Sequence, residues 1–455
     1  MAKYGLIGRS LAHSESKLLH SFLGDYEYDY IELEASDMLE AALKNTEYDG
    51  FNVTIPYKQD VMKYLDEISD CALEANAVNC VRRLSDGRLV GDNTDVYGFK
   101  TMIGDRANGA KCIVLGTGGG ARAATIALEK KGAAEVVLVS RNPEDKKFGD
   151  RKIIGYDELH NYFDVDIIVN ATPVGQYPNN DRSPMQENGR NMSIFTELKY
   201  AVDLIYNPYR TKFLQDAKRI TGCKTMSGIE MLIHQAIDSC KIWRNRFSLK
   251  LNNPYLMRDI RRKLLKKQLN VVAIGMPGSG KTTIFRRYAY EMGFNFIDVD
   301  EKTEELLGEK INDVLAPGGK GEQYFREKEF EAVKSMCSVT DSVIATGGGS
   351  ILNPISRDIL RSNGVVIYLR RPLDSLSIKN RPISQKTGVF EIFNKRDRIY
   401  RRMADITVSN NRTFGAQSEK EDNAREYNRD MKRFALEIGR KIDRYICHLA
   451  ENDWI

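Results

Sequence analysis

The stretch "VVAIGMPGSGKTTIF", residues 271–285, decides the fold of the second half of the chain. An apolar run leads into a turn that reads Gly-x-x-x-x-Gly-Lys-Thr, and an apolar-periodic helical pattern follows. Glycines in such a turn let backbone N–H groups converge on phosphate oxygens, the lysine reaches the β- and γ-phosphates, and the threonine can ligate Mg²⁺. The alternative is a glycine-rich turn that binds nothing. The strand before the turn and the helix after it favour an ATP-binding loop formed by Gly275, Pro277, Gly278, Ser279, Gly280, Lys281, Thr282 and Thr283.

Length and composition limit the class of protein. At 455 residues the chain exceeds one ordinary domain, and two or three are expected. Its 68 basic and 63 acidic residues give a net charge of +5, which indicates no nucleic-acid partner but suits small anionic substrates. The seven cysteines form no Cys-x-x-Cys pair, which is typical of a reducing compartment. No window approaches the ~18 apolar residues of a membrane span, so we expect a cytoplasmic protein without a membrane partner. The sequence does not indicate the oligomeric state.

Short apolar strands alternate with helical stretches along the whole chain, which predicts parallel sheets of the α/β class. The basic segment 257–268 separates two such series, as a linker or as the last helix of the first half, and we place the boundary near residue 265. The polar segment 412–428 is predicted to be a loop. The helical spacing that follows predicts a terminal helix packed on a core through Met431, Phe434, Ile438, Ile442, Ile446 and Leu449.

The stretch "KCIVLGTGGGARAATIAL", residues 111–128, carries a dinucleotide-binding pattern between a strand and a helix, with alanine as the third small residue. NAD enzymes usually place Asp or Glu at the end of the next strand, but this chain has Ser140 and Arg141 there. Because Arg141 can contact a 2′-phosphate, NADP is favoured over NAD. If Arg141 is only a surface residue after a strand, it gives no preference for NADP, so NAD stays open as the alternative. The predicted cofactor-binding residues are Gly116, Gly118, Gly119, Gly120, Ala121, Ser140 and Arg141.

Polar residues on turns surround that pattern. Taken singly, each serine or asparagine would more often satisfy backbone groups than bind a ligand. Together, the motifs "HSES", "NVTIPYK", "AVN", "GDNTDVYG", "GTGGGARA", "VNATPVG", "DLIYNP" and "GIEMLIHQ" resemble the shikimate dehydrogenase family, in family order from Gly5 to Gln235. The resemblance implies a substrate-binding domain over 1–98, completed by 230–262, and a Rossmann domain that binds NADPH or NADP⁺ over 99–229.

The same resemblance implies the roles of individual residues. Lys58 and Asp95 would be the catalytic pair, with Lys58 as proton donor to the reduced ketone. Gly228 would contribute to the cofactor site. Shikimate would bind through Ser14, Ser16, Thr54, Asn79, Asp95, Tyr206 and Gln235.

The second half carries "FNFIDVD", "FR", "GGG" and "RP" motifs after its phosphate loop. In order and spacing from Gly275 to about Val408 they resemble the shikimate kinase family, which implies a P-loop kinase domain over 269–455 that uses ATP and Mg²⁺. Thr282 and Asp298 would hold the metal, and Lys281 and Arg381 would stabilise the transferred phosphate. The shikimate site would consist of Asp300, Arg326, Gly348, Gly349 and Arg396, with Asp300 holding the 3-hydroxyl and the arginines the carboxylate.

Some positions depart from the kinase pattern. Arg398 and Arg402 replace a Pro and a Glu, and Lys379 stands where an arginine is expected to stack on adenine. Two alternatives to a bifunctional enzyme of aromatic amino-acid biosynthesis stay open. One is an NAD-linked quinate or shikimate dehydrogenase fused to a kinase, and the other is a non-catalytic ligand-sensing regulator. The presence of the candidate catalytic residues disfavours the regulator. Because each motif series is complete, fragments divided near residue 265 are expected to be soluble and separately active.

Overall fold

The computed structural model describes residues 1–12, 14–244, 253–376, 382–411 and 421–452, without the side chains of residues 382 and 421–426. The strands form three sheets in succession along the chain, with helices between them, as the α/β prediction requires. Among the described helices, none is long and apolar enough to cross a membrane.

The first sheet is mixed and has the strand order β2-β1-β3-β5-β6-β4. Its strands are β1 (Lys3–Gly8), β2 (Glu27–Glu32), β3 (Gly50–Val53), β4 (Glu67–Ile68), β5 (Cys80–Arg83) and β6 (Leu89–Asp92). The accompanying helices are α1 (Ser16–His20), α2 (Leu39–Lys44), α3 (Asp70–Ala75) and α4 (Thr94–Ile103). Only β5 runs against its neighbours, so the loops after β1, β3 and β6 lie at the same edge of the sheet as the start of β5.

The second sheet is parallel throughout, in the order β12-β11-β10-β7-β8-β9. Its strands are β7 (Lys111–Leu115), β8 (Glu135–Ser140), β9 (Ile153–Gly155), β10 (Ile167–Asn170), β11 (Tyr200–Asp203) and β12 (Lys224–Met226), with helices α5 (Gly119–Lys130), α6 (Pro184–Glu187) and α7 (Lys212–Thr221). Read from the other edge, this is the doubly wound order of dinucleotide-binding sheets, in which ligands bind where the strand order reverses. Here that point lies between β7 and β10.

Two long helices follow, α8 (Ile229–Trp243) and α9 (Pro254–Gln268). Helix α8 returns to the first sheet, where it packs along α4. Gly98 permits this close approach, since a Cβ there would lie 3.0 Å from the backbone nitrogen of Gln235. The basic segment 257–268 therefore lies within α9, and only Leu269 separates this helix from the next strand. The domain boundaries stay a prediction.

The third sheet is parallel in the order β14-β15-β13-β16-β17. Its strands are β13 (Asn270–Ile274), β14 (Asn295–Asp298), β15 (Ser342–Ala345), β16 (Gly364–Arg370) and β17 (Ile406–Ser409). Its helices are α10 (Lys281–Met292), α11 (Val299–Leu307), α12 (Ile311–Val314), α13 (Gly321–Ser335), α14 (Pro354–Ser362), α15 (Pro382–Thr387), α16 (Val389–Met403) and α17 (Glu421–Glu451).

The terminal helix is confirmed, because all six apolar positions predicted to face a core are buried on α17. The predicted loop over 412–428 is wrong for its second part, since α17 already begins at Glu421. Glu, Ala and Arg favour helices, so this polar segment extends the helix beyond the apolar stripe. The first part of the predicted loop, 412–420, lies outside the described residues.

One hydrophobic core joins the two halves of the chain. Helix α17 packs against both α9 and α10. The same cluster contains Ile233 and Ile237 of α8, Leu264 of α9, and Ile438 and Ile442 of α17, all nearly inaccessible to solvent. The expectation of two independent fragments stays a prediction, and this contact weighs against it, because α9 packs in a core that both halves share. A division near residue 265 would cut α9 in its last turn.

We expect a fragment over residues 253–455, which keeps α9, to unfold at a higher temperature than one over 269–455. The shorter fragment loses Met257, Ile260, Leu264 and Leu265, which are buried against the core that α17 shares. Burying an aliphatic side chain contributes about 1.5–3 kcal/mol, so the melting temperatures should differ by at least about 5 °C. Differential scanning fluorimetry measures this, and equal melting temperatures would show that α9 contributes nothing to the second half.

Candidate active sites

The candidate residues of the first sheet lie at one edge because of strand direction. Thr54 follows β3, and Asp95 follows β6 by three residues. Asn79 directly precedes β5, which is antiparallel, so its start lies beside the ends of β3 and β6. Residues that are distant in sequence are thereby brought together.

Lys58 and Asp95, the predicted catalytic pair, are in direct contact. The Lys58 ammonium donates a hydrogen bond of 2.6 Å to Oδ2 of Asp95, and both side chains are mostly buried. Asp95 sits in the first turn of α4, whose N-terminus is capped by the Asn93 side chain accepting from the amides of Asp95 and Val96. The cap fixes the carboxylate, and the carboxylate in turn orients the amine.

A buried network of polar side chains holds Asn79 beside this pair. The Asn79 Oδ1 accepts from the amide and the hydroxyl of Thr94, at 2.7 and 3.2 Å. The Asn52 amide donates to the Asn79 carbonyl and to the hydroxyl of Ser239 on α8. Asn52 belongs to the polar motif "NVTIPYK" but was assigned no role, and Thr94 and Ser239 were not predicted as site residues. Nothing in the sequence around Ser239 indicates its place, since it lies inside a helix 187 positions from Asn52.

The predicted serines lie on the segment after β1. Ser14 donates to the Ser16 hydroxyl at 3.1 Å, and the Tyr30 hydroxyl donates to the Ser14 carbonyl at 2.7 Å. Thr54 is anchored by its amide to the Ile7 carbonyl at 2.9 Å. Gln235 is half-buried on α8 and donates to the Leu232 carbonyl.

Tyr206 follows β11 and packs against the apolar side chains of the shared core. Burial raises the pKa of Tyr206 to about 12, and the charges of Glu15 and Tyr30 add to the shift. These neighbours place Tyr206 next to the Ser14–Ser16 segment.

The dinucleotide loop occupies the point where the strand order of the second sheet reverses. Gly116 has φ of +110°, and a Cβ there would lie 3.1 Å from the Ala171 carbonyl oxygen, so glycine is required. Cβ atoms placed at Gly118 and Gly119 would meet no atom of the described residues within 4 Å, which leaves room for a pyrophosphate at the N-terminus of α5. Ala121 is fully buried and packs the helix on the sheet.

The other predicted cofactor residues flank this loop. A Cβ at Gly120 would lie 3.1 Å from Leu204 of the loop after β11. Ser140 is buried at the end of β8 and accepts from the Asn142 amide, whereas Arg141 is exposed. At Gly228, a Cβ would clash with the Leu204 carbonyl, so this glycine permits tight packing between the start of α8 and that loop.

The phosphate loop has the predicted form, between β13 and α10. Gly275, Gly278 and Gly280 have φ angles of +150°, +81° and +95°, which only glycine adopts readily. Lys281 curls back into the loop, where its ammonium donates to the carbonyls of Gly275 and Met276 at 2.9 and 3.1 Å. The loop is therefore preformed around the position of a phosphate chain. Ser279 is buried beneath it, and Thr283 is exposed on the first turn of α10.

The proposed metal ligands Thr282 and Asp298 are adjacent, because the hydroxyl of Thr282 donates to Oδ2 of Asp298 at 2.7 Å. The second oxygen of Asp298 caps α11 by accepting from the Asp300 amide at 2.9 Å. One oxygen of Asp298 therefore caps the helix while the other faces Thr282, so the carboxylate can cap and bind a metal at once. A hydroxyl and a single carboxylate beside a phosphate site fit Mg²⁺, which takes few protein ligands and keeps waters or phosphate oxygens.

The glycine turn after β15 brings the remaining kinase residues together. A Cβ at Gly347 would clash with the carboxylates of Asp300 and Glu329, and one at Gly349 would clash with the Arg326 guanidinium. A Cβ at Gly348 would lie 2.7 Å from Pro277 of the phosphate loop. The turn is therefore enclosed by charged side chains on one side and the phosphate loop on the other.

Arg326 is held by two carboxylates. It pairs with Glu329 at 2.7 Å and with Glu322 at 3.1 Å. Burial alone would lower the pKa of the Arg326 guanidinium, but these carboxylates outweigh burial and raise it. Glu329 is almost fully buried and also accepts from the Ser350 hydroxyl at 2.8 Å. Sequence reasoning assigned Glu329 no role, although its spacing of three from Arg326 on a helix was a usable signal.

Two further side chains position these loops. Tyr400 donates to the Gly348 carbonyl at 2.6 Å, and the buried Arg396 lies beside it. Asn410, after β17, donates to the Ser279 carbonyl at 3.0 Å and so supports the phosphate loop. Neither Tyr400 nor Asn410 was predicted. Arg381 and Lys379 lie outside the described residues.

Comparisons with protein families match a part of each half of the chain. Residues 6–81 match the family model "Shikimate dehydrogenase substrate binding domain", and residues 277–426 match the model "Shikimate kinase".

Similar proteins cover the first half. The NADP⁺ shikimate dehydrogenase of Clostridium beijerinckii is 39% identical over 258 residues, which span 54% of this chain and 92% of that protein. The corresponding protein of Caldicellulosiruptor bescii is 37% identical over 271 residues, 55% of this chain and 92% of the relative. A solved chorismate mutase/shikimate 5-dehydrogenase fusion protein from Clostridium acetobutylicum has 35% identity and a TM-score of 0.53, and the match covers 58% of this chain and 98% of that one.

We expect Glu329→Ala to lower the free energy of unfolding by about 3 kcal/mol, because it leaves Arg326 without its buried partner. Glu322→Ala removes the exposed partner of the same arginine and should cost less than about 1 kcal/mol. Urea denaturation of both variants, followed by circular dichroism, measures the difference. Equal destabilisation would show that Glu329 is not the anchor of Arg326.

Proposed function

Because the chain belongs to the shikimate dehydrogenase family and its second half matches the shikimate kinase model, we propose that it catalyses two consecutive reactions. The first half reduces 3-dehydroshikimate to shikimate with NADPH. The second half phosphorylates shikimate to shikimate 3-phosphate with ATP. The observation that carries the proposal is that the Lys58–Asp95 pair and the Lys281 phosphate loop occur complete in one chain.

In the first reaction NADPH supplies a hydride to the ketone carbon of 3-dehydroshikimate. Negative charge develops on the carbonyl oxygen, and Lys58 donates the proton that converts it to a hydroxyl. Asp95, 2.6 Å from the Lys58 ammonium, holds the amine in position and can accept a hydrogen bond from the substrate. Ser14, Ser16, Thr54, Asn79, Tyr206 and Gln235 would bind the rest of the substrate.

The cofactor would bind with its pyrophosphate on the amides at the start of α5 and its adenosine near the end of β8. There Arg141 is exposed at the position where NAD enzymes usually have an acidic residue. A guanidinium is suited to a 2′-phosphate, which favours NADPH over NADH. The NADP⁺ dehydrogenase relatives agree with this choice.

In the second reaction the amides of the phosphate loop and Lys281 would bind the ATP phosphates, and Mg²⁺ would be held by Thr282 and Asp298. Asp300 would orient the attacking hydroxyl of shikimate. Arg326 lies against Gly349, and Arg396 lies beside Tyr400, whose hydroxyl donates to the Gly348 carbonyl, so two guanidinium groups near the glycine turn would bind one carboxylate. The ion pair with Glu329, at 2.7 Å, would hold Arg326 in this orientation before the substrate binds.

The seven thiols are all free and six of them are buried, which suits a reducing compartment. We therefore propose the cytoplasm as the site of action and small molecules as the partners. An NAD-linked quinate or shikimate dehydrogenase remains the second candidate for the first half, because Arg141 makes no contact that excludes NAD.

We expect Lys58→Ala to abolish reduction of 3-dehydroshikimate, because no proton donor remains, and to leave ATP-dependent phosphorylation of added shikimate near the wild-type rate. Lys281→Ala is the matched variant and should give the reverse result. Steady-state rates of NADPH oxidation and ADP formation measure both. A Lys58→Ala protein that keeps a tenth of the reductase rate would remove Lys58 from its proposed role.

Arg141→Ala should raise the KM for NADPH roughly 10-fold to 150-fold, since one charge-assisted contact is typically about 1.5–3 kcal/mol. The KM for NADH should change little, because NADH has no 2′-phosphate for the arginine to contact. Initial rates with each cofactor provide the comparison. Equal increases for both cofactors would make Arg141 a surface residue without a role in recognition.

A further inference from the structure

The loop over residues 204–210, which we call the β11 loop, carries Tyr206 and lies between the two parts of the proposed dehydrogenase site. Leu204 touches the start of α5 at Gly120, beside the dinucleotide loop. Tyr206 lies near Glu15 on the segment that carries the two serines. A shift of this loop would therefore move a wall of the site.

Within its own half, the loop is fixed at its ends and, in its middle, by the Tyr177 amide, which donates to the Asn207 carbonyl at 3.1 Å. Asp203 accepts from the Ile205 amide at 2.9 Å and from the Thr211 hydroxyl at 2.6 Å, and the Asn170 side chain donates to it at 3.1 Å. Burial raises the pKa of Asp203 to about 7, which these hydrogen bonds oppose. These contacts hold residues 203–205 and 211.

The kinase half also holds the middle of the β11 loop, through the Asn207 side chain and the Tyr209 amide. Asn363, between α14 and β16, accepts from the Tyr209 amide at 2.8 Å and donates to Oδ1 of Asn207 at 2.8 Å. Its side chain is buried, and both ends of its carboxamide are engaged with the loop. To the kinase half Asn363 contributes backbone hydrogen bonds, since its carbonyl accepts from the Asn270 amide and its amide donates to the Arg361 carbonyl.

Arg210 then docks the end of the loop into the kinase half. Its amide donates to the Ser362 carbonyl, and its guanidinium donates to the Gly364 carbonyl at 2.9 Å and to the Tyr445 hydroxyl at 3.0 Å. Asp405 lies 3.5 Å away and balances the charge, with both side chains only 8% exposed. Because these contacts fix Arg210 to the kinase half, the β11 loop stays within hydrogen-bond distance of Asn363.

We propose that Asn363 of the kinase half is a positioning residue for the dehydrogenase site, acting through Asn207 and Tyr209 on the loop that carries Tyr206. The inference rests on the proposed function. It makes the dehydrogenase dependent on a side chain 156 positions further along the chain. It also gives the fusion of the two enzymes a physical consequence beyond tethering.

The test uses the full chain with Asn363→Ala. Two buried hydrogen bonds to the loop are lost, so the dehydrogenase kcat/KM for 3-dehydroshikimate should fall about tenfold. The kinase rate with added shikimate should stay within twofold, which also shows that the variant is folded. The control is Arg219→Ala, which removes a contact between α7 and Asp358 of the kinase half without touching the β11 loop, and it should leave both activities within twofold.

A double-mutant cycle with Asn207→Ala separates positioning from general stability. If Asn363 acts through the loop, its replacement should have a clearly smaller effect on dehydrogenase kcat/KM in the Asn207→Ala background. An unchanged dehydrogenase in Asn363→Ala, or parallel loss of both activities, would overturn the inference. So would full additivity in the cycle. If the unaltered chain does not reduce 3-dehydroshikimate at all, the proposed function fails as well, and the two failures are thereby distinguished.

Discussion

The direction of the strands is the constraint on which both candidate sites depend. Parallel strands joined by helices end at the same edge of their sheet, and the loops that carry most of the candidate residues begin there. The dinucleotide loop follows β7, the β11 loop follows β11, and the phosphate loop follows β13. In the first sheet β5 is antiparallel to its neighbours, so Asn79, which precedes the start of β5, lies at that same edge. Polar groups from distant parts of the sequence converge because the backbone hydrogen-bond ladders allow no other arrangement.

The contact between the halves adds a second constraint. The shared core of α8, α9, α10 and α17 is apolar, so it stabilises the association without defining the relative position of the loops. Directional hydrogen bonds do that, and they concentrate at the β11 loop, where Asn363 and Arg210 are buried. The guanidinium of Arg210 can be buried because the Gly364 carbonyl and the Tyr445 hydroxyl accept its N–H groups and Asp405 balances its charge. The chain therefore behaves as more than two enzymes connected by a linker.

The sequence predicted the parts of this protein that are encoded locally. Phosphate and dinucleotide loops need glycines at fixed offsets between a strand and a helix, and the terminal helix shows its apolar period directly. Contacts such as Asn363 with Asn207 have no such pattern, because one asparagine in a helix-to-strand turn resembles any other. The polar start of α17 was predicted to be a loop, because it lacks the apolar period that identifies the rest of the helix. Glu329 was assigned no role, because a surface ion pair and a buried ion pair look alike in sequence.

If one chain makes shikimate and then phosphorylates it, the product of the first reaction must feed the second. To test this, the full chain is incubated with 3-dehydroshikimate, NADPH and ATP, and NADPH oxidation and ADP formation are followed together. We expect ADP to appear only when NADPH is present, and the amounts of NADP⁺ and ADP to approach a ratio of one to one. NADPH oxidation without ADP formation, or ADP formation that does not depend on NADPH, would contradict it.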